Sequence, residues 1–103
     1  MIRGRLHEAA HAMRGALHGP DADFHGVSTD TRSIAAGQLF VALRGPRFDA
    51  HDMLEAAAQA GAAGVVVMRE CAPRTPGILV RDTRLALGDL ARDWRRRFRL
   101  PVL

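Results

Sequence analysis

Residues 39–43, Leu39-Phe40-Val41-Ala42-Leu43, form an unbroken apolar run between two polar, glycine-containing stretches, and no other feature constrains the fold of this chain as tightly. Such a run reads as a buried strand. Before it, Ser28-Thr29-Asp30-Thr31-Arg32 is too rich in turn formers for an element interior. Its hydroxyls and carboxylate bond readily to nearby backbone groups, so it reads as a loop. After the strand, Arg44-Gly45-Pro46-Arg47 makes a second loop, and Phe48-Asp49 opens a helix. Two loops at opposite ends of one strand reach a common ligand only if the first folds back across the sheet. A plain turn at each end is the other reading, and pattern alone leaves both open.

The remaining elements follow from periodicity and caps. Asp49 is placed to cap the second helix, with Asp52 at its third position and Phe48 stapling against Met53. This helix runs to about Gly61, with Leu54, Ala57, Ala58 and Gly61 as an inner face of small residues that lets it sit close to a sheet. Gly64-Val65-Val66-Val67-Met68 and Gly77-Ile78-Leu79-Val80 read as further buried strands, with a proline-containing loop over residues 71–76 between them. Strand, helix, strand in this order implies parallel neighbours joined by a right-handed crossover. At the N-terminus, Leu6, Ala9, Ala10 and Met13 fall at helical spacing and Gly15 is a stop signal. Gly19-Pro20-Asp21 is a turn joining two short strands, around Leu17 and over residues 24–27. A last helix, capped by Asp82 or Thr83, carries an apolar stripe of Leu87, Leu90, Ala91, Trp94 and Phe98. The fold class is a single small α/β domain, a mixed sheet with flanking helices.

Composition narrows the function classes. A chain of 103 residues makes one domain, which buries roughly two thirds of its unfolded surface. Cys71 stands alone, so no intrachain disulfide forms and a reducing compartment is the natural setting. No charged-then-apolar leader is visible, nor any apolar run near the roughly 18 residues that a membrane span requires. The expectation is a cytoplasmic chain without a membrane partner. A net charge of +4 suits a polyanion, but all fifteen basic residues are Arg and none is Lys. That bias weakens charge as a functional clue.

Two motifs point to other chemistry. His7-Glu8-Ala9-Ala10-His11 matches H-E-x-x-H, in which two histidines one turn apart hold zinc and the glutamate activates water. Arg14 and Leu17 stand where the extended motif needs Gly and His, His18 misses the register by one, and both histidines project away from the apolar stripe. No metal is therefore expected. On the last helix, Arg92, Arg95, Arg96 and Arg99 share a face that could track phosphates, which makes a small basic nucleic-acid-binding domain the alternative from another class. Basic residues near a helix C-terminus are also favoured by its dipole, and the chain lacks interleaved exposed aromatics, so nucleic acid is not the expected partner. Asp-Thr-Arg occurs at residues 30–32 and again at 82–84 without matching flanks, and reads as coincidence.

Three stretches carry a family resemblance. Gly26-Val27-Ser28-Thr29-Asp30-Thr31-Arg32, Gly37-Gln38-Leu39-Phe40-Val41-Ala42-Leu43-Arg44-Gly45 and Arg47-Phe48-Asp49-Ala50-His51-Asp52 closely resemble the N-terminal domain of the Mur ligases. Val80-Arg81-Asp82-Thr83-Arg84-Leu85-Ala86-Leu87 is similar to the segment leading to that family's ATP-binding domain. The similarity covers nearly the whole chain. It departs at Ala50, usually Gly, at Arg44, often Lys, and at Pro46, often acidic. Within the family the chain looks most like the branch that adds D-alanyl-D-alanine to a UDP-N-acetylmuramoyl-tripeptide in peptidoglycan precursor synthesis. The branch that adds the third amino acid to UDP-N-acetylmuramoyl-dipeptide is the alternative.

The resemblance implies a UDP-substrate-binding domain over residues 1–82. It makes residues 83–103 a helix and the start of a strand leading to a central ATP-binding domain. ATP and Mg2+ would serve the full-length ligase, with no cofactor, metal or catalytic residue in this chain, which alone would be inactive. The absence of G-x-x-x-x-G-K-[ST], and of any lysine, fits that division. The implied partners are a UDP-N-acetylmuramoyl peptide and the central and C-terminal domains of the same protein. Ser28, Thr29, Asp30 and Thr31 offer donors and acceptors to a uracil edge or ribose. Arg32, Arg44, Arg47 and the Gly45 backbone could meet diphosphate, and Asp49 and His51 complete the second loop. Because Asp49 and Asp52 would compete with phosphate at the helix start, phosphate contacts are expected on the loop before it.

Overall fold

The β-branched run at Gly64–Val67 forms a strand, β6, buried at every position, because it is the middle of a five-stranded sheet. The computed structural model describes residues 2–30, 32–43, 54–68 and 75–97. Across the sheet lie β2 (Ala16–His18), β7 (Gly77–Leu79), β6, β5 (Leu39–Val41) and β4 (Val27–Ser28), in that spatial order. The pairs β4–β5, β5–β6 and β6–β7 are parallel, and β2 closes the other edge antiparallel to β7. A separate two-stranded ribbon pairs β1 (Arg3–Arg5) antiparallel to β3 (Asp23–His25). The expected mixed sheet with parallel crossovers is present.

Side-chain alternation along the strands divides the interior in two. Leu39, Val41, Val66, Ile78 and Val80 face one layer, where they meet Leu6, Ala9, Ala10 and Met13 of α1 (Leu6–Met13) and Ala86 and Leu90 of α3 (Thr83–Arg97). Phe40, Ala42, Val65 and Val67 face the opposite layer, against Leu54 and Ala57 of α2 (Leu54–Gln59) and Ala62. Burying each large apolar side chain stabilises the fold by about 1.5–3 kcal/mol, and this explains why the central strands read as continuous apolar runs rather than alternating ones. No helix among the described residues is long and apolar enough to cross a membrane.

Several expectations need correction. The short strands expected around Leu17 and over residues 24–27 are present, but they do not pair with each other: β2 pairs with β7, β3 with β1, and β4 with β5. Gly26 divides the second stretch. Its φ of 93° turns the chain from the ribbon into the main sheet, a backbone conformation that favours glycine. β1 was not anticipated, since Arg3-Gly4-Arg5 has no apolar pattern. α1 ends at Met13, just before the expected stop at Gly15; Arg14 takes the left-handed conformation, with φ 57°, and the Gly15 N–H donates to Ala10 O at 2.8 Å. Gly61 is exposed rather than on the inner face of α2. The fully buried stripe of α3 is Thr83, Ala86 and Leu90. Leu87, Ala91 and Trp94 are half-buried at its margin, and Phe98 lies outside the described residues. The cap is Asp82, whose Oδ1 accepts from the N–H groups of Arg84 at 2.9 Å and Leu85 at 3.1 Å.

Candidate functional site

The register Val27↔Leu39 and Ser28↔Phe40 makes β4 a parallel neighbour of β5. Their carboxyl ends therefore lie on the same edge of the sheet. The chain leaves β4 at Thr29 beside the point where β5 gives way to Ala42 and Leu43, the last described residues before the second loop. The first loop starts where the second starts and then runs back to the opposite edge to enter β5. Carboxyl ends of parallel strands are where open α/β sheets bind ligands, since the loops there converge without being held in the ladder.

The return path is fastened at three points. The Gly37 N–H donates to Gly61 O at the end of α2 (2.9 Å), the His25 N–H donates to Gly37 O (2.9 Å), and the Ala35 N–H donates to Gln38 Oε1 (2.9 Å). Gly37 has φ 85°, and a Cβ there would run into the His25 ring, so only glycine fits.

At the outgoing end, Ser28 Oγ donates to Asp30 O at 3.0 Å and accepts from the Asp30 N–H at 3.2 Å. The Ser33 N–H and Oγ donate to the same carbonyl, at 3.2 and 3.4 Å. Asp30 Oδ1 accepts from the Arg32 N–H at 2.8 Å, and the two carboxylate oxygens take Arg32 Nε at 3.2 and 3.3 Å and Nη2 at 3.0 Å. The Arg32 side-chain hydrogen bond holds the Asp30 carboxyl below the ordinary carboxylate range, and the same bond raises the Arg32 guanidinium. Of the ten expected substrate-binding residues, Ser28, Thr29, Asp30 and Arg32 are thus gathered at the carboxyl edge. Thr31, Arg44, Gly45, Arg47, Asp49 and His51 lie outside the described residues.

The other two motifs resolve differently. His7 Nδ1 lies 2.5 Å from Asp21 Oδ2, and Glu8 Oε1 accepts the Arg5 N–H at 2.9 Å. A groove of about 390 Å³ between α1 and α3 is lined by His7, Glu8, His11, Ala12, Asp93 and Arg97. Among the described residues, however, no three His, Cys, Asp or Glu side chains are grouped to hold a metal. On α3, Arg92 pairs with Asp89 at 2.7 Å and Arg97 reaches Glu8 at 3.6 Å, while Arg95 and Arg96 are exposed.

Sequence reasoning missed Asp21. Its Oδ1 accepts from the His7 N–H at 3.0 Å, so a carboxylate fourteen positions away in sequence supplies the cap that Arg5 cannot offer α1. Its Oδ2 takes Arg5 Nε at 3.1 Å. The His7 hydrogen bond, joined by that to Arg5, drives the Asp21 carboxyl far below the usual range. The Gly-Pro-Asp turn signal hinted at a bend, and nothing local pointed to the capping role.

The family model described as Mur ligase family, catalytic domain, matches residues 23–95. This chain belongs to the Mur ligase family. The UDP-N-acetylmuramoyl-tripeptide–D-alanyl-D-alanine ligase of Escherichia coli (strain K12) is 44% identical over 91 residues, covering 88% of this chain and 20% of that protein. A crystal structure of MurF from Acinetobacter baumannii superposes with a TM-score of 0.83 at 29% identity over 94% of this chain and 22% of the other. MurF from Thermotoga maritima, solved in complex with ADP, gives a TM-score of 0.67 at 28% identity over 72% of this chain and 17% of the other. The chain thus spans about a fifth of the length of the relatives it matches. Its residues do not fit the ATP and Mg2+ of a Mur ligase. There is no phosphate-loop motif and no lysine, and no described carboxylates converge on a cation. No step of ATP chemistry is therefore assigned to this chain.

Proposed function

We propose that this chain is the part of an ATP-dependent, amide-forming Mur ligase that holds the UDP end of UDP-N-acetylmuramoyl-tripeptide, to which the whole enzyme adds D-alanyl-D-alanine. Residues 1–82 bind the nucleotide-linked substrate, and residues 83–103 lead towards the central ATP-binding domain. The whole protein works in the cytoplasm, where such precursors are made, with ATP and Mg2+ bound by the central domain. The observation that carries the reading is the parallel pairing of Ser28 with Phe40. It starts both expected substrate loops from one sheet edge in a chain that belongs to this family.

The chemistry asked of the site is recognition, not bond making. Thr29, exposed at the exit of β4, offers a hydroxyl to a ribose or uracil edge. Ser28 is engaged by Asp30 and keeps the loop in shape rather than reaching out. Arg32, exposed and charged, suits the diphosphate, together with Arg44, Arg47 and the Gly45 backbone of the second loop. Asp49 and His51 follow that loop in sequence.

The test compares ligands. The isolated chain should bind UDP-N-acetylmuramoyl-tripeptide and UDP with similar affinity, millimolar to high-micromolar, about 4–6 kcal/mol. The same muramyl tripeptide without the nucleotide should not bind measurably. Weak binding follows because the whole ligase also grips the peptide end, and losing one of two linked contacts sacrifices effective concentration. Equal binding of the peptide with and without UDP would refute the reading.

A further inference from the structure

Asp30 is more heavily engaged than an exposed loop residue requires. It takes the side edge of the Arg32 guanidinium through Nε and Nη2 while bonding the Arg32 N–H, and its carbonyl gathers Ser28 and Ser33. A guanidinium presents two forked edges to oxyanions, and occupation of one leaves the other, through Nη1 and Nη2, free for a second anion. Here the side edge is filled and the Arg32 side chain is still 90% exposed. The group is held in place and its far edge is open. An unrestrained arginine loses much rotamer freedom on binding, whereas one already clamped loses less.

We propose that Asp30 is a positioning residue that clamps Arg32 by its side edge and so presents the end edge to the diphosphate of a nucleoside-diphosphate ligand. This rests on the UDP-binding reading above. The charge of Asp30 opposes an incoming anion, but it is largely neutralised by the guanidinium it holds. The hydrogen bond also keeps the carboxylate ionised, so the clamp stays intact at neutral pH.

Asp30→Asn separates the two roles of the side chain. The amide oxygen still accepts the Arg32 N–H and preserves the turn, while the forked ion pair is lost. Dissociation constants for UDP and for uridine are measured by chemical-shift titration on the unaltered chain, Asp30→Asn, Arg32→Gln and the double variant. Unchanged amide shifts in β5 and β6 verify the fold. Asp30→Asn should weaken UDP about tenfold and uridine less than about twofold. In the Arg32→Gln background it should cost UDP nothing further, because the favourable effect runs through Arg32, and loss of the then unpaired Asp30 charge should tighten UDP slightly. Tighter UDP binding by Asp30→Asn, equal losses for UDP and uridine, or additive losses in the double variant would overturn the proposal while leaving the UDP site standing. Failure of the unaltered chain to bind UDP at millimolar concentration would overturn the functional reading itself, and the clamp with it.

Discussion

Replacing Phe40 with Ala should destabilise this chain severely, and the size of the effect follows from what surrounds the ring. Phe40 is fully buried on the α2 side of the sheet, in a cluster with Ala42, Leu54, Ala57, Ala62, Val65 and Val67, against which Ile34 and Leu79 pack. Of these eight residues three are alanines and three are β-branched, so few flexible side chains are available to collapse into the space left behind. Phe→Ala substitutions in cores cost about 3–5 kcal/mol, with the larger values where relaxation is poor. A cost near 4 kcal/mol is expected, a large share of the roughly 5–15 kcal/mol that domains possess, and enough to lower Tm by about 20 °C. Urea unfolding followed by circular dichroism gives the comparison, with Leu85→Ala as control. Leu85 is 66% exposed, and its loss should stay within about 0.5 kcal/mol. A Phe40→Ala penalty below about 1 kcal/mol at unchanged m would refute this packing of α2 on the sheet.

Asp21 predicts an acid response. Its folded-state pKa lies below the ordinary 3.8, so its contribution is fully present above about pH 4 and is lost as the pH falls below that. In stability measured against pH, Asp21→Asn should flatten the acid limb, and an unchanged limb would contradict the capping role. The chain with ATP and Mg2+ should release no phosphate, and turnover that survives further purification would contradict the modular reading. Stoichiometric zinc should leave Tm unchanged, since His7 is already engaged by Asp21, and a clear rise would revive the hydrolytic reading of the His7/His11 pair.

The elements with a strong period were legible before the fold was known. Leu6, Ala9, Ala10 and Met13 mark α1 because the stripe repeats every three to four residues, and the runs at β5, β6 and β7 are apolar because both faces are covered. What could not be read was decided by contacts distant in sequence. β1 has no apolar pattern and exists because it pairs with β3. The left-handed turn at Gly26 assigns residues 24–25 and 27–28 to different sheets, although the four look like one strand. The buried face of α3 was placed one position away because Ala86 and Thr83 carry weak hydrophobic signals, while Leu87 and Trp94 carry strong ones and lie at the margin. For the site, the sequence marked both loops but left open whether they meet. Parallel pairing of β4 with β5 brings their origins to one edge, and no pattern within residues 27–52 encodes that pairing.

Nuclear magnetic resonance titration of the isolated chain with UDP asks whether the carboxyl edge of β4 and β5 holds a nucleotide. Shift changes should concentrate on residues 28–32 and 45–51, with smaller effects on Ala42 and Leu43. They should spare the His7/His11 helix and the Arg92, Arg95 and Arg96 face. Changes centred on those arginines, or none at millimolar UDP, would contradict the claim that the carboxyl edge of β4 and β5 is a nucleotide site.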